Sequence, residues 1–371
     1  MKAFSIKILL PFLTVALLSS CTTDNDDGMS CVGDYDQKAL LTHMADEMIL
    51  PSVESFSKEA SDLNASIERF LETKDPGDLE LARNAYVEAY INYQYLAQFL
   101  FGPAEQLNFR ERVNNFPVNE GQLLTSIENE DYDFSLSMQY DQGFPALDFL
   151  LFGQGSNSET TERYTENDKY ATYLRQVAGD IAATANALEE EWQDYRTEFI
   201  DRTGTAAGAS LAQLVNSWNE EYEITKRDRL GIPSGQVTLG FTNPDKVEAY
   251  YSQISLDLFE ASIEAAQEVF LGKSYLSSEN GPGLSDVLDH VSAEKDGEAL
   301  SQIISDQYQI ILDDVHVLPE GVPLSELVET EKDKVQSLYV EASKQVLHKK
   351  TDLPSILCIA ITYVDNPSDS D

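Results

Sequence analysis

Histidine, cysteine, tryptophan and basic residues are all scarce in this chain of 371 residues, which has 4 His, 3 Cys, 2 Trp and only 25 Lys+Arg against 65 Asp+Glu. Three cysteines allow no zinc-type cysteine cluster, and no two of His43, His290, His316 and His348 share metal-ligand spacing. A formal charge of −40 excludes a phosphate-neutralising face, so nucleic acid is not a partner, and it opposes electrostatic docking on anionic lipid. No H-E-x-x-H, G-x-S-x-G, P-loop or dinucleotide fingerprint is present. Disorder, the other common reading of such acidity, is opposed by 18 Tyr, 16 Phe and 42% hydrophobic residues. The length favours two domains over one.

The one long apolar run lies at the start. Lys2 and Lys7 precede Ile8 to Leu18, which is too short to span a bilayer and reads as an export signal over residues 1–20. Its end, Leu18-Ser19-Ser20-Cys21, looks like a bacterial lipobox, which makes Cys21 the expected lipidation site and acyl chains the link to the membrane. Thr22 and the acidic stretch Asp24 to Asp27 weakly favour the outer membrane, on its periplasmic or surface face, with residues 21–34 as a tether. Cys31 and Cys358 remain. An oxidising compartment permits a disulfide between them, but the sequence does not give their distance and two free thiols are the expectation.

Beyond the tether the apolar residues recur every three or four positions. Val53, Phe56, Ala60, Leu63, Ile67 and Phe70 form one stripe, with Pro51 predicting a kink, and Asp75-Pro76 opens a second helix. Residues 103–145 are irregular, as expected of a functional connection. Long helices resume from Thr165, and Asn243-Pro244 predicts the start of another through Val247, Tyr250 and Ile254. Ile356 to Val364 reads as extended. The expectation is an all-α chain of two antiparallel bundles, residues 35–160 and 161–371.

His43 with Asp46 and Glu47 at i+3 and i+4 gives one helix face a candidate metal-binding pair, against the commoner reading as a surface pair. His290 with Glu294 is similarly ambiguous.

Specific resemblance lies in the middle of the first half. Arg112-Val-Asn-Asn-Phe-Pro-Val-Asn119 resembles the R-I-x-x-[WY]-P-V-[DN] segment of imelysin-like proteins, and Gly143-Phe-Pro-Ala-Leu-Asp-Phe-Leu-Leu-Phe-Gly153 is similar to their signature G-F-H-A-I-E-[FY]-L-L-[WF]-G. Phe101-Gly-Pro103, Glu248-Ala-Tyr-Tyr-Ser252 and Ala360-Ile-Thr-Tyr-Val-Asp365 extend it in order along the chain. The resemblance implies duplicated helical bundles with a site in the cleft between them, export or lipid anchoring, and a link to iron acquisition or to metallopeptidase activity. In that family the His and Glu of G-x-H-x-x-E are the proposed metal ligands.

Here those positions are Pro145 and Asp148. Proline offers no donor atom, and one carboxylate does not make a metal site, although Asp148 remains a candidate oxygen ligand for a divalent or ferric cation. Proline also suits the first turn of a helix from Ala146 to Phe152. Arg112, Asn119, Asp148, Glu248, Tyr250 and Ser252 are expected to converge in the cleft as ligand-binding candidates. Each has a structural alternative: Arg112 neutralising nearby acids, Asn119 capping a turn, Tyr250 in the core. The leading functional expectation is a non-catalytic, lipid-anchored envelope protein that binds a metal ion or small ligand, in iron or other nutrient uptake. The alternatives are a peptidase with a rearranged site using His43, and a structural lipoprotein serving an envelope protein partner.

Overall fold

A computed structural model describes residues 31–134, 140–277 and 279–363; the export signal and Cys21 lie outside them. Asp36 caps the first helix by accepting from the Ala39 amide at 3.0 Å, and the helix Gln37–His43 runs through a π turn, Met44–Ile49, into α1 (Leu50–Thr73). The stripe from Val53 to Phe70 is fully buried. Asp75 caps α2 (Pro76–Leu96), its carboxylate accepting from the Gly77 amide at 2.8 Å. The first group also contains α3 (Gly143–Phe152) and α4 (Asp168–Asp201), with shorter helices such as Glu120–Asn129 and Asn157–Glu166 packed on α4. α1 packs on both α2 and α4, and α3 on α4 and α2. α4 lies beyond residue 160, where the sequence pattern placed a boundary, yet its main partner is α1, so by packing it belongs with the first group.

The second group comprises α5 (Ser210–Ile224), α6 (Ser255–Leu271), α7 (Leu300–His316) and α8 (Lys332–Leu347). α7 packs on α6 and α8, and α6 also packs on α2, so the two bundles meet along a shared seam within one apolar core. The all-α, two-bundle architecture is as the periodicity predicts. Among the described residues, strand pairing is limited to a two-stranded ribbon, Glu294–Lys295 with Glu298–Ala299, and a single bridge between Lys273 and Asn280, and no helix is long and apolar enough to cross a membrane.

Three local expectations are corrected. Asn243-Pro244 begins only a short 3-10 turn, Pro244–Lys246, and the long helix starts at Ser255. Ala249 (φ 51°) and Gln253 (φ 67°) take left-handed conformations that no helix can continue through. Near the end, Ile356 and Leu357 finish a short helix, Leu353–Leu357; Cys358 turns left-handed and residues 359–363 have no regular structure. Cys358 is also not a free thiol, because it is bonded to Cys31 with a Cα–Cα distance of 5.8 Å, which ties the N-terminal segment to the end of the second bundle.

The disturbance expected at Pro51 takes the form of the preceding π turn, and the pattern repeats. π turns Thr225–Gly231 and His348–Asp352 likewise end two residues before a proline, Pro233 and Pro354. A proline has no N–H to close the α-helical bond onto the carbonyl four residues back, so the ladder is rearranged there rather than broken. At Pro51 that carbonyl belongs to Glu47, and it accepts from the Tyr275 amide at 2.8 Å.

Candidate functional site

The segments with matching motifs meet at the seam. Gly143 opens α3 with φ 70°, and a Cβ there would lie 2.3 Å from the Val113 carbonyl oxygen. Gly153 closes it, where a Cβ would fall 2.8 Å from the Phe149 oxygen and 3.0 Å from the Tyr251 ring. Both glycines are therefore required for α3 to sit against its neighbours. Phe144 stacks on Tyr90 at 4.3 Å between ring centroids. Pro145 lies in the first turn of α3, and the helix begins at Gly143 rather than at Ala146.

Asp148, one turn further, is 3% exposed. Its Oδ2 accepts from the Tyr251 amide at 2.8 Å and its Oδ1 from the Ser252 amide at 2.9 Å. These amides project from the turn that the left-handed Ala249 and Gln253 create, so one carboxylate of the first bundle stitches the second bundle to it. Burial raises the Asp148 pKa to about 6, against the lowering effect of the hydrogen bonds from Ser252 and Tyr251. Beside it lies a cavity of about 90 Å³ lined by Phe116, Pro117, Glu120, Pro145, Lys246 and Tyr250, among others. That volume holds a few water molecules and is well below the roughly 300 Å³ of an ordinary small-molecule site.

Glu248, four residues before Ser252, is fully buried and anchors a second cluster that is open to solvent only at Arg110. Glu248 Oε1 accepts from Tyr90 Oη at 2.9 Å and Asn114 Nδ2 at 2.8 Å, and its Oε2 from Arg229 Nε at 2.6 Å. Arg229 Nη1 donates to Glu221 Oε1 at 2.8 Å and to Ser262 Oγ at 3.0 Å, and Arg110 pairs with the other Glu221 oxygen. Burial opposes the Arg229 charge, but Glu248 and Glu221 outweigh it and raise its pKa. Two guanidinium groups face two carboxylates, so the cluster is charge-balanced and its carboxylate oxygens are occupied.

Of the six ligand-binding candidates, Asp148, Tyr250 and Ser252 come together at or beside the cavity, and Glu248 reaches the adjoining buried cluster. Tyr250 is 41% exposed and not in the core. Arg112 points away, to Asp180 on α4, and Asn119 caps the helix Glu120–Asn129 by accepting from the Gln122 amide at 3.1 Å; both follow their structural alternatives. His43 is elsewhere, its Nε2 2.8 Å from the Gly272 carbonyl oxygen, and its neighbour Asp46 is bound to Arg196. Among the described residues no three His, Cys, Asp or Glu side chains gather as a metal site. With Pro145 in place of a ligand and both Asp148 oxygens held by backbone amides, the residues present do not fit the metal that the signature implies.

Arg110, Asn114, Glu221 and Arg229 were not singled out in the sequence. The signal was there for two of them: Leu214, Trp218, Glu221, Tyr222 and Arg229 fall on one helical face, so an acid and a base sit in phase with an apolar stripe.

The imelysin family profile matches residues 49–351, most of the chain. The chain belongs to the imelysin family. It is 24% identical over 256 residues to iron-regulated protein A of Synechococcus elongatus, a match covering 64% of this chain and 66% of the relative, just under two thirds of that protein's length. In fold it is similar to the crystal structure of an imelysin-like protein from Psychrobacter arcticum (TM-score 0.67, 17% identity, 88% of this chain and 97% of the other). It is also similar to a structure from Parabacteroides distasonis described as an iron-regulated protein A precursor (TM-score 0.70, 14% identity, 85% and 95%).

Proposed function

We propose that this imelysin-family chain is a non-catalytic binding protein, held at the cell envelope by lipid on Cys21, that serves iron-linked uptake. The observation that carries the non-catalytic part is Asp148. Its two oxygens accept from the Tyr251 and Ser252 amides, and its histidine partner in the signature is Pro145, so the segment acts as a joint between bundles. A peptidase needs an activated water and a base beside room for a peptide, and the small cavity at this joint supplies neither metal ligands nor space. The iron-linked part rests on the relative called iron-regulated protein A, and the anchor rests on the Leu18 to Cys21 sequence.

Three measurements test the reading. Incubation of the purified chain with a mixed fluorogenic peptide library and Zn²⁺ or Fe²⁺ is expected to give no cleavage, whereas cleavage abolished in Asp148→Asn would overturn it. Metabolic labelling with palmitate is expected to mark the chain and not Cys21→Ser. Transcript levels are expected to rise under iron limitation, and an unchanged level would remove the iron link.

A further inference from the structure

We infer that the loop from Val237 to Phe241 is a knuckle that inserts into the lipid bilayer, a point of membrane contact separate from the lipid on Cys21. Leu239 and Phe241 are the two most exposed large apolar side chains among the described residues, at 96% and 74%. Leu239 also takes a left-handed φ of 56°, which is unfavourable for a residue with a side chain, so backbone strain is spent on holding an apolar group out in water. The loop is braced rather than slack. The Gly240 amide donates to the Gly235 carbonyl at 2.8 Å and the Phe241 amide to the Thr238 carbonyl at 3.1 Å. The Phe241 carbonyl accepts from Thr238 Oγ1 at 2.6 Å and from Asn243 Nδ2 at 2.8 Å, and the Gly240 carbonyl from Lys332 Nζ, at the start of α8, at 3.0 Å.

Charge and backbone bonding select lipid as the occupant. Residues 231–244 contain no charged side chain, in a chain of which 24% of residues are charged and the formal charge is −40. The carboxylates that make the rest of the surface repel anionic headgroups are therefore missing from this run, and the one side chain that charges its tip is the Lys332 ammonium, which suits headgroup phosphate. Amides and carbonyls bonded within the loop also have little to lose when water is withdrawn, the condition that a bilayer imposes on inserted backbone. The position of the loop fits a chain held by its N-terminus. α8 runs from Lys332 beside the knuckle to Leu347, and the π turn and short helix after it lead to Cys358, bonded to Cys31. The knuckle and the base of the tether thus lie at opposite ends of α8, about 24 Å long at 1.5 Å per residue. The nine residues between Cys21 and Cys31 reach at most about 35 Å when extended, so with α8 along the bilayer both ends can touch the same surface.

This deepens the envelope location proposed above and rests on it. The mature chain is bound to vesicles of phosphatidylethanolamine and phosphatidylglycerol with brominated acyl chains, whether or not palmitate labelling marks it. Trp192 and Trp218 are fully buried and give a constant background. Phe241→Trp is expected to add fluorescence that shifts to the blue on the vesicles and is quenched by bromine, whereas Leu81→Trp, at a half-exposed apolar position on α2, is expected to show neither change. In flotation, Leu239→Ser combined with Phe241→Ser is expected to weaken vesicle partition on the order of ten-fold, with circular dichroism confirming the fold. No quenching in Phe241→Trp, equal quenching in Leu81→Trp or unchanged partition of the double variant would each overturn the knuckle, the first being the result if the loop instead docks on a protein. The anchor fails separately: a labelled chain without quenching removes the knuckle and keeps the lipid, and an unlabelled chain with quenching does the reverse.

Discussion

Arg229 shows what a single buried charge does in an acidic chain. Its guanidinium is 1% exposed and its two carboxylate partners, Glu221 and Glu248, are fully buried. Leaving both acids in place without it would strand two negative charges out of water. Arg229→Met is therefore expected to cost roughly 3–5 kcal/mol in urea unfolding, and a loss under about 1 kcal/mol would show that water reaches the carboxylates. Lys349 is a contrasting case. It too is buried, against the Trp218 ring with Tyr308 Oη at 3.1 Å, but burial outweighs the pull of Glu223 and its pKa falls well below the usual lysine value. Both residues sit in phase with apolar stripes, Trp218 and Tyr222 before Arg229, Leu338 and Ala342 before Lys349. That placement was readable from the sequence. Which partner each would find was not, because Glu248 and Arg229 belong to different elements and only the folded seam brings them together.

At the scale of elements, long stripes and caps were legible and the interruptions were not. Asp75 before Pro76 caps a helix as expected, whereas Asn243 before Pro244 does not, although the two pairs have the same local chemistry. The difference is tertiary. Residues 249–253 must present two amides to Asp148, and left-handed Ala249 and Gln253 achieve that at the expense of a helix. The close approach of the Val113 carbonyl to Gly143 and of the Tyr251 ring to Gly153 became visible only in the packed structure. The π turn before Pro51 carries its own test. Pro51→Ala restores an N–H that competes for the Glu47 carbonyl, so the helix should gain regularity while the Tyr275 amide loses its acceptor. Hydrogen exchange at Tyr275 is expected to accelerate while exchange in α4 stays unchanged; equal protection in both proteins would mean that the proline does not free this acceptor.

For the whole molecule, the acidic excess takes on a thermodynamic meaning. Burial raises the pKa of Asp148 to about 6 and also raises those of Asp141, Asp180, Asp228 and Glu268. A carboxyl whose folded pKa lies above its unfolded value binds more protons folded than unfolded, so its ionisation lowers stability as pH rises from the ordinary carboxylate range to the raised value, by about 1.4 kcal/mol per unit of displacement. Asp352 works in the opposite direction. Burial acts against its charge, but Lys295 and His348 prevail and hold its pKa below the usual value, so its contribution is lost only on further acidification. Self-repulsion at a formal −40 adds to the first effect, since the compact state concentrates the charge. The melting temperature is therefore expected to be a few degrees higher near pH 5.5 than at about pH 8 in low salt. Salt should narrow that gap, because a screening length of about 10 Å at 0.1 M removes surface repulsion while leaving the buried carboxyls little affected. Asp148→Asn should flatten the residual slope between about pH 4 and 6, because it removes the group whose displacement sets that window. If the slope persists in high salt in the Asp148→Asn protein, the other buried acids carry it, and Asp148 is ionised within the seam at little cost.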